Sequence, residues 1–250
     1  MPGVIRTVLA PNPSPLTLEG TRTYLVGTRR VVVIDPGPAD PGHLDAVAGE
    51  IGDGVVVSIL LTHDHPDHAA GAAPLAEKVD APIQAVAEGT LAPGDVFDTD
   101  AGAIVAVPTP GHTRDHVAFH YPAGRAVFCG DLMTGGMETA LVAPPEGDLG
   151  DYLDSLERIR ALRPRVIHPA HGPDFTDPDA AIDAYVRHRR ERLDRVRAAM
   201  AGGAATLDEI VDAVYGTALD PRLRRAAEGA ALAYVEYLQR AEVSVRDSGA

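Results

Sequence analysis

Residues 62–68 read T-H-D-H-P-D-H, placing His63, His65, Asp67 and His68 in one short stretch. They follow Val55-Val56-Val57-Ser58-Ile59-Leu60-Leu61, an apolar, β-branched run that reads as a buried strand. A strand ending in a tight loop can aim several side chains into one cleft, whereas a helix sends positions i and i+2 to different faces. Three imidazoles and one carboxylate form a donor set that suits zinc. Chance accounts poorly for the cluster, because the chain holds only 10 His in 250 residues.

The same design recurs further along. The run 104–107 leads into P-T-P-G-H-T and presents His112, 126–129 leads into G-D and presents Asp131, and 165–167 leads towards P-A-H-G and presents His171. Each alone would be an ordinary loop residue; beside the first cluster they form a set.

β-Rich runs at 22–26, 30–35, 55–61, 104–107, 116–121 and 126–129 alternate with helical patterns at 43–50, 69–79 and 149–162. The last helix carries Tyr152, Leu153, Leu156, Ile159 and Leu162 on one face. Strands alternating with helices give the α/β class with layered packing. From about residue 178 the chain reads as helices only, at 180–200, 207–215 and 222–240. Thr206 opens T-L-D-E, a capping box, after the turn-forming A-G-G-A-A of 201–205. The expected division is a catalytic domain over 1–178 and a helical domain over 179–250.

Together, T-H-D-H-P-D-H, P-G-H-T, F-C-G-D and P-A-H-G resemble the successive ligand motifs of metallo-β-lactamase-fold hydrolases. The opening A-P-N-P-S-P-L-T-L-E-G-T-R-T-Y-L-V-G (10–27) and V-V-V-I-D-P-G-P (31–38) look like the first strands of the subgroup typified by beta-lactamase-like protein 2. That subgroup ends in a winged-helix-like domain, to which H-R-R-E-R-L-D-R-V (188–196) and T-L-D-E-I-V-D-A-V-Y-G (206–216) are similar. The resemblance implies a four-layer αββα sandwich with two Zn2+ per chain at one edge. His63, His65 and His112 would hold one ion, Asp67, His68 and His171 the other, and Asp131 would bridge them. Two positions depart from the pattern: Ala70-Gly71 stands where the subgroup has two glycines, and Arg22 where an Asn is common.

Two such ions would lower the pKa of a bridging water and hold the hydroxide against an ester or thioester carbonyl, with Asp131 orienting it. His116, four residues after His112, is a candidate catalytic residue that would give a proton to the leaving group or meet a substrate phosphate. Asp35 follows a strand and would brace a ligand loop. Asp115 reads as a solvated turn, Asp64 as solvent-facing and Cys129 as core. His43, His120, His168 and His188 carry no functional expectation.

Composition sets the competing readings. The chain is 45% hydrophobic and 23% charged, ordinary for a globular protein. No run is long enough for a membrane span, the first residues lack a leader pattern, and a lone Cys suits a reducing compartment, so the cytoplasm is expected. Residues 180–250 hold 11 basic and 11 acidic side chains, so the net charge of −14 lies entirely before them. Such a field repels polyanions. Against it stand six arginines, at 187, 189, 190, 192, 195 and 197, that could neutralise RNA phosphates. Aromatics for base stacking are few, 4% with no Trp. A small ester or thioester is the expected substrate, a single-strand-specific ribonuclease the first alternative, and a mononuclear iron redox protein on the same fold the second.

Overall fold

Val, Ile and Thr are stiff at χ1 and pack well on a pleated surface, so the β-branched runs become strands. In the computed structural model, which describes residues 4–248 apart from residue 138, β1 (Ile5–Leu9), β2 (Arg22–Val26), β3 (Arg30–Ile34), β4 (Val55–Leu60) and β5 (Ile83–Gln84) form one sheet in that order. β6 (Val96–Thr99), β7 (Gly102–Pro108), β8 (Val117–Tyr121), β9 (Ala126–Gly130) and β10 (Val166–Pro169) form the second, ordered β10-β9-β8-β7-β6. The helices are α1 (Pro41–Ile51), α2 (Pro66–Ala69), α3 (Ala72–Val79), α4 (Leu149–Ala161), α5 (Pro178–Ala201), α6 (Leu207–Tyr215) and α7 (Pro221–Ser248). Parallel neighbours need a crossover. α1 joins β3 to β4, α2 and α3 join β4 to β5, and α4 joins β9 to β10.

Strand side chains alternate between faces, which divides the core into layers. Tyr24, Val26, Val32, Ile34, Phe119 and Phe128 pack between the two sheets. Their neighbours Leu25, Val31 and Val33 face outward onto Leu44, Val47 and Leu75 of α1 and α3. Ala118, Val127 and Cys129 face the other way, onto α4, α5, α6 and α7. The result is a four-layer αββα sandwich.

The expected helix over 69–79 is two helices, α2 and α3, separated at Ala70-Gly71. The expected strand over 116–121 starts one residue later, which leaves His116 in the turn before it. Residues 178–248 form α5, α6 and α7, and α6 opens on the Thr206–Glu209 capping box. Among the described residues this segment holds no strand, so no β wing accompanies its helices. Its apolar side chains share one core with the outer face of the second sheet. Among the described residues no helix is long and apolar enough to cross a membrane.

Candidate metal centre

Strand ends deliver the donors. His63 follows β4, and His65 stands at the N-cap of the one-turn α2, which carries Asp67 and His68. His112, Asp131 and His171 follow β7, β9 and β10. The seven fall into two groups, His63, His65, His112 and Asp131 in one, Asp67, His68 and His171 in the other, with donor atoms in each group within 4.8 Å of one another. Asp131 stands between them. Its Oδ1 lies 3.4 Å from His68 Nε2 and 3.3 Å from His171 Nε2, while Oδ2 lies 3.7 Å from His112 Nε2. The second group is closed by Asp67, whose Oδ2 is 3.3 Å from His171 Nε2 and 3.6 Å from His68 Nε2.

Outer partners fix how each ring points. Asp35 accepts from the Thr62 backbone N–H (2.8 Å), the Thr62 hydroxyl (2.7 Å) and His68 Nδ1–H (2.9 Å). The Thr62 hydroxyl accepts in turn from His63 Nδ1–H at 3.0 Å. One buried carboxylate thus orients a histidine of each group. His112 Nδ1–H donates to the Leu141 carbonyl (2.7 Å) and His171 Nδ1–H to that of Gly20 (3.2 Å). His65 is turned the other way, with Nδ1 3.2 Å from His112 Nε2 and Nε2 3.3 Å from Glu146 Oε2.

Nε2 of His63, His68 and His171 and Oδ1 of Asp131 are buried and make no hydrogen bond. A buried polar group without a partner costs about 1–3 kcal/mol. Several converging on one point make sense where cations complete them, and an all-nitrogen and oxygen donor set fits zinc and other first-row metals. The site's electrostatics agree. Burial would raise the Asp131 carboxyl, but the surrounding His68, His171 and His112 rings hold it well below the ordinary carboxylate range. Burial would lower His68, yet Asp131 and Asp35 on either side push it well above its usual value. His63 is driven well below its usual value by burial, then by His68.

The Metallo-beta-lactamase superfamily model matches residues 16–101 and 90–171, more than half of the chain. The chain belongs to this superfamily. It is 34% identical over 245 residues to an atrochrysone carboxyl ACP thioesterase of Aspergillus chevalieri, covering 91% of this chain and 78% of that protein. Among solved structures it is similar to a metallo-beta-lactamase family protein, TTHA1429 of Thermus thermophilus, with a TM-score of 0.79 and 22% identity over 96% of this chain and 94% of the other. It is also similar to TTHA1623, solved in a di-iron-bound form, with a TM-score of 0.57 and 30% identity over 73% of this chain and 97% of the other.

Within this metallo-β-lactamase frame both departures have a physical account. Gly71 lies against the turn after Asp35: it donates to the Gly37 carbonyl, and a Cβ on it would stand 2.9 Å from that oxygen. Residue 70 is exposed, where an alanine is accommodated. Arg22 pairs with Asp174 at 2.6 Å and donates to the Gly172 carbonyl at 3.0 Å, pinning the loop just past His171. His168 joins the same clamp, 3.0 Å from Asp174.

His116 is 1% exposed, its ring centroid 5.3 Å from that of His63, with Nδ1 2.8 Å from the Thr109 hydroxyl. Burial pushes it down to about 3. It lies outside both donor groups and outside the lining of the cleft. Gly130 makes room for it, at φ +50° and with a Cβ position 2.8 Å from His116 Nε2. Asp64 is exposed, Asp115 half-buried, Cys129 fully buried in the core, and His43 buried against the Thr23 hydroxyl at 2.9 Å.

The donor groups open into a cleft of about 140 Å³ rimmed by Pro15, Leu16, Met137 and Leu141. Three side chains from the helical layer hold its floor. Tyr152 donates to the Leu132 carbonyl (2.8 Å), Tyr185 bonds both the N–H and the carbonyl of Thr134, and Arg189 donates to the Ala140 carbonyl. Sequence reading did not single out Glu146 or Leu141 and counted Arg189 only among the arginines that could meet RNA; all three touch the candidate ligands through one hydrogen bond or through the backbone.

Proposed function

We propose that this metallo-β-lactamase-fold hydrolase is a dinuclear zinc enzyme that cleaves a small thioester or ester. The observation that carries the reading is Asp131, whose two oxygens face two separate histidine groups. His63, His65 and His112 would hold one ion, Asp67, His68 and His171 the other, with Asp131 shared. When bound, the pair supplies Lewis acidity and a nucleophile at neutral pH. The chain's own residues shape the rest. Asp35 and Thr62 lock the rings, and burial of His63 and His68 excludes water behind the site. Leu16, 64% exposed, and Met137, 40% exposed, offer an apolar rim on which an acyl group can rest. A thioester agrees with the activity named for the Aspergillus chevalieri relative.

His116 fits a positioning role better than proton donation. A donor must reach the leaving group, and this ring is buried, held at Thr109 and absent from the lining of the cleft. We read residues 179–248 as a helical cover that completes the outer layer rather than as a nucleic-acid module.

The test is metal analysis of the purified protein together with a screen against acyl thioesters, esters, nitrocefin and single-stranded RNA. About two zinc equivalents per chain and thioester turnover are expected. In Asp131→Ala both hydrolysis and at least one equivalent should be lost; substantial turnover in that variant would sink the dinuclear reading. The di-iron form of TTHA1623 favours iron as the second reading for the metal. It takes first place if the protein is isolated with iron and only the iron form turns over.

A further inference from the structure

A cleft of about 140 Å³ is smaller than the roughly 300–1,000 Å³ of a site that encloses a drug-sized ligand. A thioester with its thiol arm must therefore extend beyond it. The cleft adjoins a second, larger groove of about 460 Å³ at Leu141, which lines both. Glu146 stands in this groove with its carboxylate engaged by the His65 ring, so a metal ligand marks the inner end. One wall is Ala143, Pro144 and Pro145, and the other is α7, brought close by Gly229, where a Cβ would stand 2.8 Å from the Ala143 Cβ.

Among its described lining residues the groove holds one cation, Arg225 on α7. Nearby arginines are taken: Arg224 pairs with Asp208, Asp212 and Glu228, and Arg240 with Asp148. Arg225 is exposed and, among the described residues, has no carboxylate partner. In a chain with a net charge of −14, an unpaired guanidinium beside an apolar, proline-walled track is where an anion finds a favourable field. An uncharged, extended segment suits the track, and Arg is the side chain that best reads a phosphate.

We propose that this groove binds the thiol arm of a thioester substrate and that Arg225 binds a phosphate at the arm's far end, as in 4′-phosphopantetheine. This rests on the thioester reading above. The scissile carbonyl would lie at the metal cleft, the uncharged arm along Pro144 and Pro145, and the phosphate at α7.

The experiment compares one acyl group on two arms, pantetheine and 4′-phosphopantetheine, with the zinc-loaded full chain. The phosphorylated arm should have a kcat/KM about three- to fivefold higher, as expected for one solvent-accessible charge-assisted contact. In Arg225→Gln that ratio should fall to about one, and Arg225→Lys should retain part of it. The same acyl group on coenzyme A and on a carrier protein shows which bearer of the phosphate is preferred, and the loss in Arg225→Gln must appear on that one. Hydrolysis of both arms at equal rates by the wild-type protein, or a preference untouched by Arg225→Gln, overturns the assignment of the groove alone. Hydrolysis of neither arm overturns it together with the thioester reading.

Discussion

Arg189 is 2% exposed, with its guanidinium 4.6 Å from the Tyr152 ring centroid, one nitrogen donating to the Tyr234 hydroxyl and another to the Ala140 carbonyl. Among the described residues no carboxylate pairs with it, and its Nε makes no hydrogen bond. Burying a charge in this way is costly, so the contact it makes must matter. Ala140 precedes Leu141, whose carbonyl receives His112 Nδ1–H. The arginine therefore tethers the strip of backbone that orients His112, a proposed metal ligand. Arg189→Met keeps much of the volume and removes the desolvated charge, so little change in melting temperature is expected. Metal affinity on the His112 side should fall about tenfold or more, in line with other losses of outer support, and a chelator competition titration measures it. Unchanged affinity in the folded variant would show that the tether is idle. In the sequence this residue reads as one of a run of surface arginines. A signal was nonetheless present: Ile182, Tyr185, Arg189, Leu193 and Val196 recur at helical spacing and are all buried. Asp35, by contrast, was legible through the resemblance, which places a bracing carboxylate at the end of Val-Val-Val-Ile.

Central strands announce themselves because both faces are buried and the run is apolar throughout. β2, β3, β8 and β9 were legible for that reason. β1, β5 and β6 were not, and all three lie at sheet edges, short or half-exposed. The break between α2 and α3 was hidden by the opposite fault, a helical pattern that runs on through Ala70-Gly71. Tertiary contact decides it, since Gly71 must lie against Gly37. Gly71→Ala should therefore cost about 1–3 kcal/mol, as overpacking does, while Ala70→Gly should cost about 1 kcal/mol or less. Denaturant unfolding of the two variants checks the contrast, and equal losses would refute it. A second element-level contact joins β2 to the loop after β10 through Arg22 and Asp174. Burial opposes ionisation of Asp174, but His168 and Arg22 outweigh it and hold the carboxyl below its ordinary value. A depressed carboxyl contributes stability above its unfolded pKa, lost as pH falls through the folded one. Asp174→Asn should be less stable than the wild type near neutrality by about 1 kcal/mol, given the partial exposure of the pair. The gap should close as pH drops below about 4. A gap that persists in acid would mean that packing, not charge, holds the clamp.

Over the whole molecule, charge and the helical cover decide between a small substrate and RNA. The net −14 lies before residue 180 and was legible from composition, but where the arginines of α5 sit was not, because one-dimensional clustering does not reveal which face of a helix is buried. Arg189 is inside, and Arg192 lies over the Tyr215 ring at 4.6 Å and bonds the Val214 carbonyl at 3.0 Å. Arg197 pairs with Asp194 at 2.6 Å. Arg187, Arg190 and Arg195 remain exposed on α5 and, among the described residues, form no ion pair, three cations where six were counted. Each phosphate neutralised on a single strand contributes roughly −0.7 to the slope of log K against log salt, so three contacts give about −2 at most. Against the repulsive sandwich, binding of single-stranded RNA should be feeble at physiological salt, and substituting Arg187 and Arg190 together by Ala should change it little. Fluorescence anisotropy with a labelled oligoribonucleotide across a salt series measures both quantities. Tight binding with a slope well beyond −2 that collapses in the double variant would require a phosphate track on this face, and would place the ribonuclease reading ahead of the thioesterase. A shallow slope, with thioester turnover unaffected by the same two substitutions, would leave the six-arginine run as what its packing makes it: partly core, partly paired, and only in its remainder a solvated face.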